Sequence, residues 1–194
     1  LSASLRNDGY SRFGAENKWA LFPSVSAGWM ISQEPFWKNA NLEWWDTFKF
    51  RASYGRTGNN GVDQDSAYST LDQTDYADQL AYRIGSVGNY SLSWEKTHST
   101  DVAVDLGFLK NRIQVSLDWY TKTTTDLLYN VPVPSVFGTT KVYDNLGSVL
   151  NHGIELELNT QNINNRDFQW STSFNMSYSK NKVLQLGDDK TEGH

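Results

Sequence analysis

The sequence predicts an all-β fold: about seven consecutive strands of an antiparallel sheet of the transmembrane β-barrel class. Three observations carry the prediction. Seven segments alternate apolar and polar residues, the joins between them are short at one rim and long at the other, and aromatic rings stand at both ends of the apolar parity. Alternation alone also fits a soluble, Trp-rich β-sandwich that binds carbohydrate, so loop length and ring placement decide between the two.

The segments are 1–8, 23–32, 47–57, 93–107, 112–127, 150–160 and 168–180. Leu1, Ala3 and Leu5 alternate with Ser2 and Ser4, so the chain is expected to open inside a strand, as an internal piece of a longer protein. In the second segment Val25, Ala27, Trp29 and Ile31 oppose Ser24, Ser26, Gly28 and Ser32, and in the third Phe48, Phe50, Ala52 and Tyr54 oppose Lys49, Arg51, Ser53 and Gly55. The fourth keeps Asp105 off the apolar parity. Ile113, Val115, Leu117 and Trp119 form the apolar side of the fifth, against Gln114, Ser116, Asp118 and Tyr120. The sixth sets Ile154, Leu156 and Leu158 against Glu155 and Glu157; the seventh sets Phe168, Trp170, Phe174 and Met176 against Gln169, Ser171, Ser173, Asn175 and Ser177. The apolar parity is thus expected to be free of charge. A slip of one residue in the third segment would put Lys49 and Arg51 into lipid, at roughly 2–4 kcal/mol each near the midplane, so register is pinned.

The join between the fourth and fifth segments is only Phe108-Leu109-Lys110-Asn111, whereas 58–92 and 128–149 are long and rich in Asp, Asn, Gly, Ser and Tyr. A membrane barrel sorts its loops in this way. Trp170 and Tyr178 share a parity and lie on the order of 20 Å apart along a membrane normal, near the height of the apolar band. Phe36, Trp37, Trp44 and Trp45 crowd the join after the second segment, as an interfacial girdle would.

Aromatic residues make up 14% of the chain, with eight Trp and ten Tyr, yet mean hydropathy is only −0.59. No run approaches the ~18 apolar residues that a spanning helix needs. The net charge of −5, with scattered Lys and Arg, argues against a nucleic-acid surface. Cysteine is absent, which removes disulfides and thiolate metal sites.

Chemical motifs are sparse. Asp63-Gln64-Asp65 begins like a calcium loop, but Tyr68 and Thr74 stand where an EF-hand needs Gly and Glu. Gly55-Arg56-Thr57-Gly58 lacks the ending of a phosphate loop. His98, His152 and His194 lack partners at metal-ligand spacing, so neither metal nor cofactor is expected. His152 shares parity with Ile154, the placement of a catalytic His on a barrel wall, but an interfacial role is the simpler account; Glu155 and Glu157 are read as hydrated wall charges. No enzyme activity is expected.

The local words then become recognisable. Leu5-Arg6-Asn7-Asp8-Gly9, Ser11-Arg12-Phe13-Gly14, Phe22-Pro23-Ser24-Val25-Ser26-Ala27-Gly28-Trp29 and Arg51-Ala52-Ser53-Tyr54-Gly55-Arg56-Thr57-Gly58-Asn59-Asn60 occur in order. Trp94-Glu95-Lys96-Thr97, Leu106-Gly107-Phe108-Leu109-Lys110-Asn111-Arg112, Thr125-Asp126-Leu127-Leu128, Asn145-Leu146-Gly147-Ser148-Val149 and Asn151-His152-Gly153-Ile154-Glu155-Leu156 follow. Over nearly the whole chain this resembles the barrel of the SusC/RagA family of TonB-dependent outer-membrane transporters; Tyr10, where that family often has Ser or Thr, is a small departure.

The resemblance implies that residues 1–194 are part of a 22-stranded plugged barrel in the outer membrane of a Gram-negative, Bacteroidota-like cell, with plug, TonB-contacting segment and signal peptide lying outside them. It implies import of glycans or peptides, energised through the TonB complex, with a SusD-like surface lipoprotein as lid. It also implies that 58–92 and 128–149 are extracellular. Asn59, Asn60, Tyr68, Tyr76, Tyr82, Tyr90 and Phe137 are then the residues expected to touch substrate or lid.

Overall fold

The computed structural model describes residues 1–40, 42–62, 66–137 and 139–187. Seven antiparallel strands form one sheet in the order β1 (Ser2–Gly9), β2 (Trp19–Met30), β3 (Trp45–Asn59), β6 (Glu95–Phe108), β7 (Ile113–Thr125), β10 (Ser148–Asn164) and β11 (Gln169–Gln185). Each coincides with one of the seven predicted segments. Their ladders run past the alternating stretches, from Trp19 in β2 and to Gln185 in β11, because hydrogen bonding continues where the two faces cease to meet different solvents.

The joins 58–92 and 128–149 were expected to be loops, and the structure corrects this. The first holds the hairpin β4 (Thr70–Tyr76) and β5 (Gln79–Ser86), and the second holds β8 (Leu128–Pro132) and β9 (Lys141–Asn145). At the tip of the first, Ala77 and Asp78 have φ of 51° and 58°, the left-handed pair of a type I′ turn. Without Gly or Asn there, the turn left no recognisable word.

Register sorts the faces row by row. Trp29, Phe50, Val104, Leu117, Leu156 and Met176 lie opposite one another across six strands. The row beside it reads Gly28, Arg51, Ala103, Asp118, Glu155 and Ser177 on the other face. Among the described residues nothing covers the apolar face: Trp29 is 49%, Leu117 42%, Ile154 46% and Met176 53% exposed. The buried apolar side chains Phe13, Phe22, Val62, Leu92 and Trp94 instead cluster at the loop-bearing rim. A sandwich would bury the first set, each worth about 1.5–3 kcal/mol, so the sandwich alternative fails.

The rim with short joins carries the aromatic girdle. Helix α1 (Pro35–Asn39) lays Trp37 against Trp45, ring centroids 4.7 Å apart, and against Phe48, while Trp44 stacks on Phe108. Trp29 donates through Nε1 to Glu34 Oε1 at 2.9 Å, so its polar edge is satisfied beside the apolar face.

The expectation that the apolar parity carries no charge fails at the opposite rim. Arg56, Lys96, His98, His152, Lys180 and Lys182 all share the parity of Phe50 and Leu117. They sit at the loop-bearing rim, beyond Tyr54, Trp119 and Tyr178 on the same face.

Candidate functional site

Two regions carry polar chemistry. The first is the charged face of the sheet. Arg51 grips Asp105 with two nitrogens, Nε to Oδ2 at 2.8 Å and Nη2 to Oδ1 at 2.9 Å, and reaches Asp118 Oδ1 at 3.2 Å. Ser116 Oγ lies 2.9 Å from Asp105 and 3.0 Å from Asp118, tying both carboxylates into one network across three strands. The side chains of Arg51, Asp105 and Asp118 remain 40%, 31% and 37% exposed, so each ion pair is worth about 0–1 kcal/mol, and the network orients charge more than it stabilises.

Asp101, Glu155 and Glu157 extend this face, Glu157 accepting from Asn159 Nδ2 at 2.7 Å. Lys49 and Lys122 leave it net negative. The shallow hollows beside Lys49, Arg51 and Asp118, and beside Glu155 and Asn175, open on this face rather than the apolar one. Such a wall repels anions weakly and is wetted throughout.

The second region is the loop rim, where words distant in sequence converge. Phe13 of the Ser11–Gly14 word and Phe22 of the next both meet the ring of Trp94 edge-on, at 5.7 and 5.5 Å. Trp94 Nε1 donates to Lys18 O at 3.2 Å. Gly58 is needed there: a Cβ would come within 2.2 Å of Phe22 Cζ. Gly14 is needed likewise, since a Cβ would lie 2.2 Å from the carbonyl oxygen of Tyr90. Asn145 joins the long segments. Its Oδ1 accepts from Ser93 N at 2.7 Å, and its Nδ2 donates to Ser93 O and Asp126 O, both at 2.9 Å. Asn89 Nδ2 adds bonds to Tyr143 O at 3.1 Å and Asp144 Oδ1 at 2.9 Å.

Of the residues expected to meet a ligand, the structure brings two together. Tyr68 and Tyr90 pack edge to face at 5.9 Å, and the Tyr90 hydroxyl accepts from Ala15 N at 3.1 Å. Tyr76 and Tyr82 stand on opposite faces of the β4–β5 hairpin, 79% and 63% exposed. Asn59 turns back to cap Gly61 N at 3.1 Å and donates to Glu95 Oε1 at 3.3 Å, beside Asn60 at the end of β3. The backbone of Phe137 ends a short 3-10 turn over Ser135–Phe137. Asp63, Asp65 and His194 lie outside the described residues.

Sequence reasoning missed Asn145 and Asn89 as the ties between loops. Both lie in Asp, Asn and Gly-rich stretches, and Asn145 also opens the word Asn145-Leu146-Gly147-Ser148-Val149, but neither feature tells a tie from a solvated side chain. His152, weighed as a catalytic group, sits on the apolar face opposite Lys180.

The profile of the family described as "TonB dependent receptor-like, beta-barrel" matches residues 1–193. A TonB-dependent receptor of Formosa agariphila is 40% identical over 97% of this chain, and the TonB-dependent receptor SusC of Bacteroides thetaiotaomicron 35% over 96%. The chain spans about a fifth of the length of the curated relatives it matches, 18% and 19% for these two. Among solved structures, the RagAB peptide importer superposes in its closed-closed state with a TM-score of 0.87 at 31% identity, over 95% of this chain and 20% of that one. Its open-open state gives 0.84 with the same coverage. An exposed apolar face, a charged face and loops sorted by rim are what a slice of such a barrel presents, and the chain belongs to the TonB-dependent receptor β-barrel family, in its SusC/RagA branch.

Proposed function

We propose that this chain is a section of the wall and mouth of an outer-membrane active transporter that imports oligosaccharides or peptides, energised by TonB and covered by a SusD-like surface lipoprotein. The observation that carries the reading is the uncovered apolar face beside a hydrated, ion-paired one, because only acyl chains outside and water inside satisfy both. The outer edges of β1 and β11 find no partner among the described residues, and hydrocarbon does not tolerate open edges, so further strands of the parent barrel close the sheet. The names of the similar proteins, a peptide importer and SusC, support an oligomeric nutrient as cargo. Tyr68, Tyr76, Tyr82, Tyr90, Asn59, Asn60 and Phe137 on the loop side are the proposed contacts for cargo or lid.

Spin labels in the full-length protein test the reading. Labels at Phe50, Leu117 and Phe174 are expected to collide with dissolved oxygen in the bilayer, and labels at Arg51 and Asp118 with a water-soluble relaxant. The reverse pattern would refute it. Uptake of labelled glycan or peptide, lost on removing the lid lipoprotein, tests the cargo and the partner.

A further inference from the structure

A single ring interrupts the charged face. Below the loop rim, the other aromatic side chains of the seven-stranded sheet share the face of Phe50 and Leu117 among the described residues. Tyr120 on β7 instead lies in the row Asp101, Tyr120, Gly153 and Ser179, on the side of Arg51 and Asp118. A glycine sets its place. A Cβ at Gly153, directly opposite on β10, would lie 2.7 Å from Tyr120 Oη and 2.8 Å from Cζ, so the phenol leans across β10 and covers backbone from which a side chain would push it. Tyr120 is thereby half-buried and Gly153 buried. A ring already lodged in one position gives up little freedom when a ligand stacks on it. Lys122 Nζ stands over the ring, 5.3 Å from its centre, but this side chain is exposed and makes no ion pair among the described residues, so it can swing aside.

The ground around the ring is a second, independent observation. A hollow of about 470 Å³, in the size range of small-ligand sites, opens beside it. Asp101 and Glu155 border this hollow, and Glu155 is exposed, with no ion pair among the described residues. Asn181 Nδ2 donates to Asn151 Oδ1 at 2.6 Å, which leaves Asn151 a donor and Asn181 an acceptor to spare. Ser179 of β11 is small enough to leave room for a flat ligand ring. One apolar plate amid carboxylates and amides is the surface that suits a pyranose, its C–H face on the plate and its hydroxyls on the polar groups around it. A uronate or sulfate would be repelled by Asp101 and Glu155, neither of which Arg51 pairs with. An apolar peptide side chain would find only the one ring.

We propose that Tyr120 is the floor of a subsite on the inner wall for one sugar residue of a neutral oligosaccharide. The sugar displaces Lys122 from the ring, Asp101 and Glu155 accept from its hydroxyls, and Asn151 donates to them. The inference rests on the transport reading and narrows its cargo to glycan.

The full-length protein in detergent is offered neutral pentaoses of α-1,4-glucose, β-1,4-glucose, β-1,4-mannose and β-1,4-xylose, a pentaose of galacturonate and an uncharged pentapeptide, one at a time. Saturation-transfer NMR reads contact and calorimetry reads Kd. At least one neutral pentaose is expected to bind. Tyr120→Ala should weaken it about ten-fold and Glu155→Ala about three-fold, while Tyr120→Phe, which keeps the plate, holds it within about two-fold. Lys122→Ala uncovers the ring and should tighten binding about two-fold, an effect that Tyr120 serving only to pack on Gly153 would not produce. Trp119→Phe, on the outward face, should change nothing. If Tyr120→Ala does not fold by heat-modified gel migration, Glu155→Ala and Lys122→Ala decide. The proposal is overturned if no neutral pentaose binds, if Tyr120→Ala or Glu155→Ala binds it as wild type does, if Lys122→Ala fails to tighten it, if Trp119→Phe loses as much, or if the galacturonate pentaose or the peptide binds more tightly through Tyr120. A protein that stays monomeric in buffer without detergent sinks the transport reading and this inference with it. A detergent-requiring barrel that binds no neutral sugar sinks this inference alone.

Discussion

Asn145 shows how much one side chain at the rim controls. Its amide satisfies backbone groups at Ser93 and Asp126 at once, so Asn145→Ala leaves three hydrogen-bonding groups without that partner. The expected local loss is about 3 kcal/mol, since each net hydrogen bond contributes about 1 kcal/mol. It should appear as faster proteolysis within 60–92, with the sheet unchanged in circular dichroism. Asn145→Asp turns a carboxylate oxygen toward the carbonyl oxygens of Ser93 and Asp126 and should lose at least as much. The sequence showed that Arg51 lies on the wet side, because parity is local. It did not show that Asp105 and Asp118 are its partners, because that depends on the register across β6 and β7, which is set by turns elsewhere.

The wall strands were legible because lipid and water impose opposite demands on successive residues, and that demand is written into Phe48 to Gly55 and Ile113 to Tyr120. The β4–β5 hairpin was not, because both of its faces meet water: Leu71, Leu80, Tyr82 and Ile84 share a face yet stay exposed. Its turn also lacks the usual residues. Replacing Ala77 by Asn and Asp78 by Gly relieves a left-handed backbone that costs an ordinary residue roughly 1–2 kcal/mol. Amide exchange in β4 and β5 should slow by about five-fold, the equivalent of about 1 kcal/mol, with no change in β3 or β6. Unchanged exchange would show that the hairpin is held by its base instead.

At the scale of the whole molecule, the uncovered apolar rows and the two open edges lead to one expectation for residues 1–194 expressed alone. In buffer the chain should form large soluble aggregates or precipitate, and it should enter detergent micelles, as size-exclusion chromatography with light scattering would show. A stable monomer without detergent would contradict the membrane reading. The family words were legible as words, and the structure supplies what links them: Phe13, Phe22, Gly58, Trp94 and Asn145 come from five of them and meet at one rim.

That knot of rings beneath the hairpins separates two kinds of freedom. Chain beyond it can lengthen, shorten or change composition between 70 and 86 while the staves below keep their alignment, because Ser66, Ala67, Trp94 and Asn145 hold the ends of the excursion in place. A lineage of such proteins can thus diversify what its mouth recognises without refolding its trunk.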